Sequence, residues 1–404
     1  MMLEPGSTGR FRFFDAIRLS GVLAVVALHA AVAYSTLAPW WYVAETTRSD
    51  GINVLLSATD GFPMPLLFAV AGYFALPSLA RRGPAGFLAA KLRRLGLPLA
   101  ALTLFYTPII TYVDYLDKGG DLGYFKFWLS LLPSLLDWSF QYFGAPDGAA
   151  KAQTMLLSYH LWFLAVLLVF CGLLAAFRNV SGLAARAGQG AGYGRFVLVV
   201  LGTALVEGLA QMMFSDMAWA RFGPFFVFQP ARLPIYAGFF LMGLFAWKRG
   251  WFVRYPAPGR AWAWGVAVVL AFGAMGGGGM AVMAPGPKSS LLLFAYGLAR
   301  TGFGLAATGL LVVVGQRCWN NPGRTARSLT DASYDIYLYH FPPVVVLQYL
   351  LVGAALPVSA KFSIAFLTPC LLCWAASNLA GRCGRFWLPA GVAAAFGACL
   401  LVWG

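Results

Sequence analysis

The sequence predicts an all-α, polytopic transmembrane helix bundle of about 10–11 spans with a cytoplasmic N-terminus. Three observations predict it. Hydrophobic residues make up 60% of the chain and charged residues only 11%, with a mean hydropathy of +0.73, far outside the range of soluble domains. Apolar runs recur that are long enough to cross a hydrocarbon core about 30 Å thick as helices. Basic residues then gather in every second connection between those runs, as the positive-inside rule requires.

The runs lie near 17–38, 60–80, 95–113, 155–177, 195–214, 232–248, 261–283, 290–315, 333–354, 362–380 and 386–403. An unpaired backbone is untenable in lipid, so an apolar stretch of this length is a helix. The basic connections hold Arg10 and Arg12; Arg81, Arg82, Lys91, Arg93 and Arg94; Arg178, Arg186 and Arg195; Lys248, Arg249, Arg254 and Arg260; Arg317, Arg324 and Arg327; Arg382 and Arg385. The intervening connections carry acids and bases in near balance. Missing one span midway would destroy this alternation, so it supports both the count and the direction. The chain reads as one integral membrane domain over 1–404, with a core of about 12–380 and 386–403 as an additional terminal span. No cleaved leader and no soluble domain at either end are expected.

Two external connections stand out. Residues 114–154 contain YFKFWLSLLPSLLDWSFQYF, an aromatic stretch too interrupted for a span, which reads as an interfacial or re-entrant segment broken at Pro133. Residues 39–59 open with PWWYV, the composition of a membrane interface.

Several function classes are excluded. The net charge of +15 is spread over alternate connections rather than gathered in a patch, so nucleic acid is not the partner. The six cysteines fall within spans or on the cytoplasmic side, and Cys370 with Cys373 forms a lone CxxC inside an apolar run. Neither a disulfide framework nor a zinc site is read there. Three histidines in the whole chain argue against a metal enzyme.

What remains is a small set of ionisable groups at membrane depth, where they are costly and mark a reaction centre or a pathway. Arg18 and His29 share the first span. Eleven residues at 1.5 Å each place His29 about 16 Å beyond Arg18, near the bilayer midplane. His160 lies in SYHLWFL near the outer end of the fourth span, and His340 closes SYDIYLYHFPP in the ninth. Glu207 and Arg300 lie within the fifth and eighth spans and Arg232 at the outer mouth of the sixth; they either neutralise one another or face a common wet cavity. Such a set fits an enzyme or a solute or proton transporter. The paired, broken halves common in transporters are not evident, although the glycine-rich GAMGGGGMAVMAPGP could form a break.

Together, Arg18-x10-His29, MPLLFAVAGYF followed by RRGPAGFLAAKLRRLGLP, and SLTDASYDIYLYHFPP resemble the acyltransferase-3 family of integral membrane acyltransferases, in order over about 12–355. Ala71 and Lys91 depart from it where many relatives carry serine and arginine. FFDAIR, PWW, HLWFLAVLL and QPARLPIYAGFFLMGLFAW look most like members associated with succinylation of osmoregulated periplasmic glucans.

The resemblance implies O-acyl transfer in the bacterial inner membrane, from a cytoplasmic acyl-CoA to a hydroxyl of an extracytoplasmic carbohydrate. Succinyl-CoA or acetyl-CoA would be a donor substrate, with no tightly bound cofactor. O-acetylation of another surface glycan or a small molecule is the alternative within the family. His29 would act as general base, or form an acyl-imidazole. Arg18 would meet the CoA phosphates through paired, permanently charged donors, with Arg93 and Arg94 beside it. Tyr334, Tyr337 and His340 would bind the CoA arm or donate to the developing oxyanion. Trp40, Trp41, His160, Trp162, Gln229 and Arg232 would gather at the outer mouth around the acceptor, with Asp60 and Asp216 as further polar residues. Arg300 or Arg232 would answer a succinyl carboxylate.

Overall fold

The structure, a computed structural model, describes residues 12–38, 40–43, 45–143, 154–177, 191–253 and 255–383. The terminal span expected at 386–403 lies outside them, as do Arg10, Arg178, Arg186, Arg254 and Arg385.

Helix α1 (Arg12–Val32) carries Arg18 and His29. Helices α2 (Asp50–Gly61), α3 (Pro63–Lys91), α4 (Leu97–Phe105) and α5 (Pro108–Asp117) follow in one helical run of 68 residues. Straight, that run would measure about 100 Å, several times the bilayer core. It is broken at Phe62, at Gly83, at a π-helical turn over Leu92–Gly96, and before Pro108. Gly83 adopts φ +68° and ψ 171°, a conformation open to glycine alone, and Pro84 follows it.

The external connection then forms α6 (Tyr124–Leu131), a 3₁₀ turn over Leu132–Leu136 begun by Pro133, and strand β1 (Phe140–Phe143). Helices α7 (Trp162–Ala176) and α8 (Tyr193–Met213) lead to a hairpin of β2 (Trp219–Phe222) and β3 (Phe226–Phe228). β2 is the central strand of a three-stranded antiparallel sheet, pairing with β1, Phe140 opposite Phe222, and with β3, Ala220 opposite Phe228. The bundle closes with α9 (Leu233–Lys248), α10 (Ala261–Met283), α11 (Ser290–Cys318), α12 (Arg324–Tyr339), α13 (Phe341–Leu350) and α14 (Val358–Cys383).

The all-α polytopic bundle is what the structure shows, although fewer helices span at full length than the eleven apolar runs suggest. Among the described residues, seven helices are long and apolar enough to cross a membrane, counting the 68-residue run as one. The run expected at 232–248 is the 16-residue α9, packed between α3 and α8. The span expected at 333–354 is not continuous but divides at His340 into α12 and α13. Outward faces of the longest helices are apolar: Leu198, Leu201 and Leu205 on α8, Val269 and Leu270 on α10, Leu371 and Leu372 on α14. Such surfaces suit lipid rather than water.

Small residues set the closest helix crossing, between α3 and α9. A methyl group added at Gly72 would lie 2.1 Å from the Phe240 carbonyl oxygen, and one at Gly243 would lie 2.1 Å from that of Ala69. Close backbone approach through small residues is how membrane helices pack in the absence of a hydrophobic driving force between them. Gly72→Ala is therefore expected to push α9 away and lower stability by about 1–3 kcal/mol, the usual cost of overpacking. Thermal unfolding of the purified variant checks this; an unchanged midpoint would contradict the crossing.

Candidate active site

The break between α12 and α13 originates in FPP. Pro342 and Pro343 lack amide hydrogens and clash with a continuing helix, so the carbonyls of Leu338 and Tyr339 lose their partners four residues on. Both are recaptured by side chains from elsewhere. His160 Nε2 lies 3.1 Å from the Leu338 oxygen, and the Tyr106 hydroxyl donates to Tyr339 at 2.9 Å. A backbone break inside the bundle thus fixes one histidine and sets another, His340, buried at its corner.

His340 Nδ1 lies 3.0 Å and 2.9 Å from the carbonyl oxygens of Ile336 and Tyr337. Carbonyls only accept, so Nδ1 carries the proton and Nε2 is a lone pair. His29 Nδ1 is 2.8 Å from that Nε2 and must donate to it. The network therefore leaves His29 Nε2 as the unprotonated nitrogen. Phe341 stacks on the His29 ring at 4.1 Å between centroids, fixing its plane. By the same argument His160 donates through Nε2, and its buried Nδ1 has no hydrogen-bond partner.

The Arg18 and His29 spacing acquires a partner in α12. Arg18 Nε donates to Ser333 Oγ at 3.1 Å, and His29 meets His340 at the other end of the same seam. Ser333, Tyr337 and His340 occupy one face of α12 at helical spacing. Arg18 also pairs with Asp15 at 3.0 Å. The Arg94 guanidinium lies 5.3 Å from the ring centre of Tyr334, the residue after Ser333, and the Tyr334 hydroxyl donates to the Arg94 carbonyl. Arg93 is exposed one position earlier. Arg18 with Ser333, and Arg94 with Tyr334, thus meet successive residues of α12, and His29 meets the other end of that helix.

A cavity of about 330 Å³ borders His29. Its walls include Trp40, Trp41, His160, Trp162, Gln229, Arg232, Arg300 and Tyr337, which the structure brings together from five separate segments of the chain. Arg18, Arg93, Arg94, Tyr334 and His340 do not border it. His340 is buried and both its ring nitrogens are engaged, Nε2 with His29 and Nδ1 with two backbone carbonyls. The Tyr337 hydroxyl likewise donates to the His160 carbonyl, which leaves it no proton for an oxyanion. Trp41 Nε1 donates to Gln348 Oε1 at 2.9 Å, and Gln348 Nε2 donates to the carbonyl of His29 at 2.9 Å. Sequence reasoning missed Gln348, although a lone amide in FPPVVVLQYL is a signal of its kind.

Opposite His29 lies a group of four charges. Arg232 donates through Nε and NH2 to both oxygens of Asp216, at 3.0 and 2.9 Å, and through NH1 to Asp60 at 2.7 Å. Arg300 approaches Asp216 at 2.8 Å and Asp60 at 3.5 Å. The expected pairing of Glu207 with Arg300 is not formed. Glu207 instead accepts from Gln211 at 3.1 Å and from the Ile235 amide at 3.2 Å, satisfying an orphan donor at the start of α9. Asp216 is buried, which opposes ionisation. The guanidiniums of Arg232 and Arg300 overcome that and hold its carboxyl well below the usual carboxylate range. Arg232 is committed to Asp216 and Asp60 through all three of its nitrogens, whereas Arg300 meets them through NH2 alone and its buried Nε has no hydrogen-bond partner.

With this geometry established, comparison with known proteins adds one finding. A family model described as an acyltransferase domain, of the acyltransferase-3 type, matches residues 11–378. No curated protein and no solved structure matches the chain.

Proposed function

The chain belongs to the acyltransferase-3 family and is a multi-pass membrane acyltransferase, and on that premise we propose that it transfers an acyl group from cytoplasmic acyl-CoA to a hydroxyl of an extracytoplasmic carbohydrate, with His29 as general base. The observation that carries the proposal is the hydrogen bond from His29 to His340. It sets the tautomer, so that Nε2 offers a lone pair beside a cavity at span depth.

The reaction follows from that atom. His29 Nε2 takes the proton of the acceptor hydroxyl as its oxygen attacks the thioester carbonyl. The tetrahedral intermediate collapses, the carbon–sulfur bond breaks, and the proton passes from Nε2 to the departing thiolate, giving an ester and free CoA. His340 supports the step as an acceptor that stabilises the His29 Nδ1–H when the ring becomes charged, the orienting role of the third group in catalytic triads. On the donor side, Arg18 and Arg94 suit the phosphates. The distance of about 16 Å from Arg18 to His29 along α1 is one that only the slender pantetheine arm could thread.

The finer reading rests on resemblance to glucan biosynthesis protein C in FFDAIR, PWW, HLWFLAVLL and QPARLPIYAGFFLMGLFAW. It makes the acyl group succinyl, the acceptor an osmoregulated periplasmic glucan and the location the bacterial inner membrane. The test is purified protein in nanodiscs, incubated separately with succinyl-CoA and acetyl-CoA, with and without periplasmic glucan. Acceptor-dependent CoA release and a matching gain in product mass are expected, with succinyl-CoA the better donor. Equal release with and without glucan would overturn the acceptor, and preference for acetyl-CoA would overturn the acyl group.

A further inference from the structure

We infer that Asp60 is the residue that anchors the acceptor: its carboxylate, braced by two guanidiniums, accepts hydrogen bonds from hydroxyls of an uncharged sugar in the cavity. This rests on the acyl-transfer reading above and names the acceptor-binding group within it.

Four features lead there. First, the two aspartates of the charged group differ. Asp216 is 6% exposed, with Arg232, Arg300, Gln211 and Tyr296 all bonded to its carboxylate. The Asp60 side chain is 33% exposed and borders the cavity. A carboxylate offers about four lone-pair directions, and Asp60 gives one close bond to Arg232 at 2.7 Å and a longer approach to Arg300 at 3.5 Å. Acceptor capacity remains on its open side.

Second, Arg232 and Arg300 balance Asp60 and Asp216 in charge. A charged acceptor of either sign would compete with those pairs. An uncharged ligand would not. Third, an ionised carboxylate accepts and cannot donate, so the ligand must bring donors; neighbouring hydroxyls of a sugar bring two at fixed spacing. Trp162, Trp219 and Tyr236 supply apolar faces in the same cavity, the combination of flat walls and a few placed polar groups typical of small-molecule sites. Fourth, the placement of Asp60 is built rather than incidental. A methyl group at the adjacent Gly61 would lie 2.6 Å from the Phe303 ring of α11, so only glycine brings Asp60 this near to Arg300. A sugar held at Asp60 remains in the cavity that His29 borders, with further hydroxyls to present to Nε2.

The experiment compares wild type with Asp60→Asn and Asp60→Glu. The probe is a linear gluco-oligosaccharide, bound without any acyl-CoA and followed by tryptophan fluorescence. Its concentration is then varied in turnover with the better donor. Asp60→Asn should weaken oligosaccharide binding and raise the acceptor KM about tenfold or more, the usual scale for a hydrogen bond to a charged group. The KM for acyl-CoA should change less than about twofold, and Asp60→Glu should recover part of the loss. Unchanged oligosaccharide binding in Asp60→Asn would overturn the inference. So would a parallel loss of thermal stability and donor KM, because the carboxylate would then only brace the arginines. Because binding is read without donor, absence of turnover in wild type would count against the acyl-transfer reading and leave this measurement standing.

Discussion

His29→Ala is expected to remove acyl transfer by a factor of about 10²–10⁴, the range that a positioned general base supplies, while the protein still inserts and folds. The argument for selectivity is geometric. The His29 ring is partly exposed to the cavity and makes one side-chain hydrogen bond, to His340. Its removal leaves one acceptor nitrogen unpaired, a cost of about 1–3 kcal/mol, less than the stability of an ordinary domain. The backbone of α1 stays tied at the same level, because Gln348 bonds the carbonyls of His29 and Ala30 rather than the imidazole. Single-turnover CoA release, read alongside the unfolding midpoint, separates the two effects. Retained turnover in a folded variant would remove His29 from the chemistry, and a protein-bound acyl group trapped in wild type without acceptor would replace the general base by an acyl-imidazole.

Much of the architecture was legible because membrane constraints are simple. Apolar length and alternating charge are local quantities, and they placed α8, α10, α11 and α14 within four residues at each end, and α1 and α7 within seven. Two of the departures have different causes. The break at His340 was written in FPP, but 333–354 is apolar through its second half except at Gln348 and reads as one span if hydropathy is averaged across the prolines. The sheet was hidden because strands of three or four residues are too short to show alternation, and Arg221 holds β2 in place through Asp137, 84 positions away in sequence.

The site was legible in its members but not in its pairings. His29, His160, His340, Arg232 and Arg300 stand out as ionisable groups in apolar runs, and all five lie at or beside one cavity. Which partner each takes depends on contacts across the bundle that carry no local signature. His29 and His340 are 311 positions apart, and Arg300 meets Asp216 from 84 positions away. Asp216 lies in a connection, where a carboxylate needs no explanation, so nothing in the sequence marked it as the centre of the charged group.

That centre yields the largest expected effect on stability. Asp216→Ala removes the carboxylate that both guanidiniums share and leaves Arg232 and Arg300 with Asp60 alone, an uncompensated charge inside the bundle. Breaking a buried pair in this way costs about 3–5 kcal/mol. The damage spreads beyond the pair, because Gln211 bridges Asp216 to Glu207, which satisfies the first free amide of α9. Thermal unfolding of the variant should fall sharply, with loss of oligosaccharide binding following from the loosened cavity wall. Asp216→Asn isolates the charge. Burial opposes ionisation of Asp216, Arg232 and then Arg300 overcome it, and the folded carboxyl titrates well below the unfolded value of about 3.9. Its contribution is therefore fully present above that unfolded value and is lost as pH falls towards the folded one. The stability gap between wild type and Asp216→Asn should be wide at pH 7 and narrow progressively below about pH 4. A gap that stays constant down to pH 3 would mean that shape and hydrogen bonding, not charge, hold the two arginines in place.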